Sequence, residues 1–252
     1  MCDVCIRYFK HLATHTDYSE QPMQPLAERI VYEDNHIIVV NKLPGEIVQG
    51  DKTGDEPLVE ALKGYLKEKY AKPGNVFCGV VHRLDRPVGG LVVFAKTSKA
   101  LARMNEMFRN GDVHKTYWAI SRNMPPHPQD ELRHFITSTE KNNKSYASLT
   151  PKNGAKEARL RYRVAGSSER YHLLEVELMT GRKHQIRVQL SAIGCPIKGD
   201  LKYGDKRSNP DGSISLMARN IRFIHPVSKE PVDLTAPVPD DPLWKALEQA
   251  AD

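Results

Sequence analysis

A chain of 252 residues, 40% of them hydrophobic, is long enough to bury one large core or two small ones, and its mixed-sign charge with recurrent apolar residues excludes a disordered class. A formal net charge of +6 points to a polyanionic partner, nucleic acid above all. No apolar run approaches the roughly 20 residues of a membrane span, no signal core opens the chain, and four scattered cysteines form no disulfide framework, so a cytoplasmic protein without membrane attachment is expected.

Residues 1–27 read as a flexible tail. Cys2 and Cys5 form a C-x-x-C with His11 and His15 downstream, but the gap to His11 is shorter than the ~12 residues of a zinc finger, so no metal site is expected. Ordered patterning begins only after Met23, a candidate second start. Two short apolar runs within 29–41, split by Glu33-Asp34-Asn35, spell a hairpin, and Lys42-Leu43-Pro44-Gly45 breaks it with turn chemistry. Leu58, Leu62, Tyr65 and Leu66 recur at helical spacing after Pro57. Strands are expected over 76–81 and 91–96. Between them runs His82-Arg83-Leu84-Asp85-Arg86-Pro87-Val88-Gly89-Gly90.

That run carries the strongest chemical signal in the chain. A carboxylate between two arginines is held in its charged form, which suits a nucleophile rather than an acid. Against this stands the reading of Asp85 as a turn aspartate that only caps backbone groups. Gly89 and Gly90 tilt the balance, since glycine lets backbone approach a ligand closely.

A helix capped by Ser98 follows, with Leu101, Met104 and Phe108 on its apolar face and Gly111 at its end. The strand at 115–121 contains Tyr117 and Trp118, which must point to opposite faces. Either one stacks on a nucleobase, or both are core. After a Pro-rich linker at 125–130 the pattern turns to strands over 135–137, 145–149, 158–164 and 172–178. Arg159, Arg161 and Arg163 alternate with apolar residues, giving a basic face that is either solvated or turned to RNA.

Residues 183–193 look helical, with Ile186, Leu190 and Ile193 on one side. Arg182, Lys183 and Arg187 crowd the start of this helix, where cations oppose the macrodipole unless an anion meets them. Phosphate or the Asp85 carboxylate would supply that anion. Arg187, flanked by apolar residues, points inward and needs a partner. Gly199-Asp200-Leu201-Lys202-Tyr203-Gly204 reads as a structural turn. Strand-like pieces over 223–235 and a short terminal helix over 242–250 complete the chain. The whole is α+β with a largely antiparallel sheet. His82 and His184 lack a third ligand at metal spacing. No phosphate-cradling glycine loop is present, so ATP and dinucleotide chemistry are not expected.

Taken together, His82-Arg83-Leu84-Asp85-Arg86 with Gly90-Leu91 and Ala95-Lys96, then Lys115-Thr116-Tyr117, then Gly181-Arg182-Lys183-His184-Gln185-Ile186-Arg187-Val188, then Gly199-Asp200 with Tyr203-Gly204, resemble the motifs of RluA-type pseudouridine synthases in the same order. The resemblance spans about residues 29–236. It implies a pseudouridine synthase-like fold, a mixed, largely antiparallel central sheet flanked by helices. It further implies a catalytic domain over 28–242, a C-terminal helix or tail over 243–252, and a monomer that isomerises uridine in structured rRNA or tRNA without cofactor or metal. By the same carry-over Asp85, Tyr117 and Arg187 are catalytic, and His82, Arg83, Arg86, Arg182, Lys183, His184 and Ile186 bind the substrate.

The chain departs from the pattern in two places. Pro87-Val88-Gly89-Gly90 stands where many relatives have Thr-Ser-Gly, and the N-terminal tail is shorter than the small RNA-binding domain that many carry, so RNA recognition is expected from the catalytic domain. The alternative is a non-catalytic RNA-binding or assembly module of the same fold, against which the intact Asp85, Tyr117 and Arg187 argue. A metal-dependent nuclease would need more acidic ligands around Asp85.

Overall fold

The hairpin at the start of the patterned sequence forms as strands β1 (Ile30–Glu33) and β2 (Ile37–Lys42) in a computed structural model that describes residues 24–251. Asp34 closes its turn by accepting the His36 and Ile37 amides at 2.7 and 2.8 Å. The remaining elements are α1 (Leu58–Lys69), β3 (Gly79–Val80), β4 (Gly89–Ala95), α2 (Ser98–Asn110), β5 (His114–Ser121), β6 (Gln129–Thr139), β7 (Lys144–Ser148), β8 (Lys156–Ser167), β9 (His172–Leu178), α3 (Gln185–Ala192), β10 (Leu216–Ile224), β11 (Pro231–Thr235) and α4 (Pro242–Gln249). Among the described residues the strands make one sheet in the order β1-β2-β4-β10-β5-β9-β8-β6-β7, with β11 beside β10 and β3 beside β4. Only β4 and β10 run parallel; every other pairing is antiparallel.

Strand alternation sorts the core into two layers. On one face Val92 and Phe94 meet Leu62 and Leu66 of α1, while Tyr117 and Ala119 meet Ile186 and Leu190 of α3. On the other, Leu91, Val93, Trp118 and Ile120 pack with Met104 of α2 and with Trp244 and Leu247 of α4. The aromatic pair thus divides between the layers, as period two requires. The C-terminal segment is no tail. Asp241 caps α4 through the Leu243 and Trp244 amides, and Trp244 and Leu247 are buried. A side chain at Gly166 would stand 2.8 Å from the Ala250 carbonyl, so β8 and the end of α4 touch backbone to backbone.

Several elements differ from expectation for identifiable reasons. Thr97, not Ser98, caps α2, because it has the extended backbone and its hydroxyl accepts the Ala100 amide. β6 begins inside the expected linker, where Gln129 pairs with Arg163. The strand expected over 76–81 shrinks to two residues. β3 reaches only Ala95 and Phe94, and the same edge of β4 passes to β10 at Gly89 and Gly90. Gly90 is required here. It has φ 107°, and a Cβ would lie 2.3 and 2.5 Å from the backbone O and N of Ala218. The close approach that glycine permits is therefore to a neighbouring strand, not to a ligand.

In the gap between β3 and β10 the Val93 amide has no strand partner on that edge. His82 Nε2 accepts it at 3.1 Å, with the ring stacked on Phe108 at 4.8 Å. Burial, with the Lys115 charge adding to it, pushes the imidazole down to about 3. Protonation would destroy the acceptor.

Gly90→Ala is expected to cost more than about 3 kcal/mol, measured by denaturant unfolding, since strain and backbone overlap act together. For His82 the sign follows from its lowered value. Between pH 6.5 and about 3 the unfolded chain takes up a proton that the folded chain refuses, so stability falls as pH drops through that window. A melting-temperature series should show a shallower acid slope in His82→Gln; parallel slopes would remove His82 from the account.

Candidate active site

Asp85 opens the tight turn that leads into β4, closed by the Val88 amide donating to the Asp85 carbonyl at 3.0 Å. The turn is held from below by a buried lysine. Lys42 Nζ donates to the carbonyls of Leu43, Arg86 and Val88 at 2.9, 3.2 and 2.8 Å. The Gly45 amide takes the Arg86 carbonyl as well, and the Ile214 amide takes that of Pro87. Burial pushes the Lys42 ammonium down to about 8, with Glu46 and Asp85 working against it. In the sequence Lys42 looks like part of an ordinary turn. Its only signal is a charge directly after four apolar residues and an asparagine.

Arg187 comes from the first turn of α3, with its side chain buried. Its Nε and one terminal nitrogen grip both oxygens of Asp200 at 2.7 and 2.9 Å. The other terminal nitrogen donates to Asp85 Oδ2 at 2.9 Å. Burial opposes the guanidinium charge, but the carboxylates of Asp200 and Asp85 outweigh it and raise its pKa. Asp200 is 1% exposed, so what reads as a structural turn in the sequence holds the second anion of the triad.

Tyr117 of β5 stands in the same cleft. Burial, and next the charge of Asp85, raise its pKa and keep it a phenol. His184 lies 3.7 Å from Asp85 Oδ2 through Nε2. Ile186, Val88, Leu178 and Leu216 supply apolar walls, and Arg83 and Arg182 stand exposed at the rim of a cavity of about 140 Å3. Arg182 is anchored through its Nε to the Glu157 carbonyl at 2.8 Å. Among the described residues both contacts to the Asp85 carboxylate, from Arg187 and His184, go to Oδ2.

Three residues expected at the substrate do not line this cavity. His82 serves the Val93 amide. Arg86 is exposed and pairs with Asp55 on the neighbouring loop. Lys183 is exposed outside the cavity lining, with its carbonyl taken by the Ser145 hydroxyl. Nor do Arg182 and Lys183 burden the start of α3, because both precede it. The arginine face of β8 is a ladder of ion pairs with neighbouring strands: Arg159 and Arg161 with Glu131 at 2.9 and 3.0 Å, and Arg163 with Glu175 at 2.8 Å. Cys2, Cys5, His11 and His15 lie outside the described residues. Among those described, no three His, Cys, Asp or Glu side chains converge to hold a metal, and no helix is long and apolar enough to cross a membrane.

A family profile described as RNA pseudouridylate synthase matches residues 36–192. Ribosomal large subunit pseudouridine synthase D of Xylella fastidiosa is 33% identical over 237 residues, covering 84% of this chain and 66% of the relative. An uncharacterized RNA pseudouridine synthase of Bacillus subtilis is 32% identical over 221 residues, covering 86% of this chain and 71% of the relative. Among solved structures, Human RNA Pseudouridylate Synthase Domain Containing 4 matches with a TM-score of 0.72 at 25% identity, over 85% of this chain and 90% of that one. The chain spans about two thirds of the length of its curated relatives. Profile, sequence relatives and fold agree, and the chain belongs to the RNA pseudouridylate synthase family.

Proposed function

We propose that this chain isomerises uridine to pseudouridine in structured RNA, with large-subunit ribosomal RNA as its substrate class and transfer RNA as the second. One observation carries the reading: the Asp85 carboxylate meets the buried Arg187 guanidinium at 2.9 Å in a cleft that also contains Tyr117. The two come from segments 102 positions apart, and a turn aspartate with only a capping role has no need of such a partner. The names of the relatives supply the substrate class, since several are ribosomal large subunit pseudouridine synthases. The working unit in this reading is a monomer in the cytoplasm.

In this reading the target nucleotide is extruded from its stack and its base enters the cleft. Tyr117 stacks on the base, and as a phenol it assists proton transfer. Ile186 walls the pocket. Arg83 and Arg182 at the rim, with Lys183 and Arg86 on the surface beyond, meet phosphate. Asp85 Oδ1 either attacks C1′ or takes a proton from C2′. Both routes break N1–C1′, turn the uracil and join C5 to C1′, with the Asp85–C1′ bond breaking as C5 attacks or the C2′ proton returning, the C5 proton lost and N1 protonated in its place, and both require that the freed base stay enclosed. No step consumes redox or phosphate energy. Arg187 holds the carboxylate in place throughout, and Asp200 holds Arg187.

Incubation with large-subunit rRNA transcripts in EDTA, followed by chemical mapping, should yield pseudouridine at defined sites without strand cleavage. Asp85→Asn should abolish turnover and leave RNA affinity nearly unchanged; a fully active Asp85→Asn protein would show the chemistry to be misassigned. Asp200→Asn should lower the single-turnover rate on the order of 100-fold, by loosening Arg187, and lower the melting temperature as well. An unchanged rate in that variant would remove Asp200 from the positioning of Asp85.

A further inference from the structure

His184 has a geometry that substrate contact alone does not explain. Its backbone lies at φ 55°, ψ 24°, in the left-handed region that non-glycine residues seldom occupy, and its side chain is buried. Such a conformation persists only where the surroundings impose it. Here one neighbour stands out. Tyr203 hydroxyl lies 2.7 Å from His184 Nδ1, with the rings edge to face. The same hydroxyl accepts the Ser145 amide at 2.8 Å.

We propose that His184 is a positioning residue for Asp85, fixed by Tyr203 as the neutral tautomer that carries its proton on Nε2 and aims that N–H at Asp85 Oδ2. This rests on the reading of the cleft as a pseudouridine-forming site. The tautomer is assigned from the hydroxyl's partners. With the Tyr203 oxygen accepting from Ser145, its one proton is assigned to the bond with Nδ1. Nδ1 then accepts, and in the neutral ring Nε2 bears the hydrogen. At 3.7 Å from Oδ2 this N–H faces the carboxylate at a distance longer than a hydrogen bond, as catalytic contacts often do before substrate tightens them. It addresses the oxygen that Arg187 already holds, so both groups act on Oδ2 and leave Oδ1 to the chemistry.

Neutrality matters to this role. An imidazolium would bind Asp85 as a second cation and hinder its reaction with the sugar. Burial pushes His184 down to about 4. Asp85 favours its protonation, while Arg187, Lys202 and Lys183 oppose it. Lys144, over the Tyr203 ring at 5.6 Å, adds positive charge behind the pair.

Two substitutions separate positioning from a structural role. Asparagine tolerates the left-handed backbone better but carries its amide at the Nδ1 position; glutamine tolerates it less but carries an amide N–H out to the Nε2 position. His184→Asn should melt at or above His184→Gln, yet show the lower single-turnover rate at saturating rRNA transcript, at least ~10-fold below the native chain. His184→Gln should recover most of that loss. Rates that follow melting temperature, or a native rate in His184→Asn, would overturn the proposal. Nitrogen NMR of the labelled native chain gives a readout independent of turnover: a protonated Nε2 and bare Nδ1 are expected at neutral pH, and the reverse would overturn the tautomer. If the native chain forms no pseudouridine on any transcript, the reading of the cleft fails, and the NMR result still decides the tautomer.

Discussion

A single buried guanidinium bears the geometry of this protein's cleft. Arg187 takes Asp200 through two nitrogens and Asp85 through a third, so one rigid planar group fixes three chain segments at once. Burying that charge is expensive unless both flanks are matched, and loss of either carboxylate would leave a desolvated cation. The helix that carries it has no polar face to spare. Ile186, Val188 and Leu190 are buried around Arg187, so its side chain cannot escape to water. The sheet positions α3, α3 positions Arg187, and Arg187 positions Asp85.

The turn that bears Asp85 is held stiff from its other side. Three of its features satisfy backbone groups that a junction of β2, β3, β4 and β10 would otherwise strand. Lys42 collects carbonyls, His82 takes the Val93 amide, and Gly90 lets β4 and β10 come together. The result is a carboxylate on a loop with little freedom, feeding a strand whose seven residues are all buried.

Charge is distributed in two distinct ways. On β6, β8 and β9, arginines and glutamates pair across strands, and exposed pairs of this kind keep a sheet face wet more than they stabilise it. Around the cleft the arrangement differs. Arg83 and Arg182 stand exposed at the rim, and the buried charges inside are matched to carboxylates. The overall positive charge therefore does not mark the basic-looking strand as the place where a polyanion sits.

The amino-acid sequence alone determined the local elements whose periodicity is strong: the first hairpin, α1, α2 and β5, the division of Tyr117 from Trp118, and the inward turn of Arg187. It also marked Asp85 as the candidate reactive centre, because a carboxylate between arginines ahead of an apolar strand is a local pattern. Only the tertiary structure decided that Arg187 grips Asp200 as well as Asp85, since Asp200 sits in a segment that looks like an ordinary turn. The same holds for Lys42, His82, Tyr203 and the arginines of β8. Each takes its role from a partner supplied by another element, and a side chain's local neighbours carry no information about which distant backbone group or charge will be left unmatched beside it.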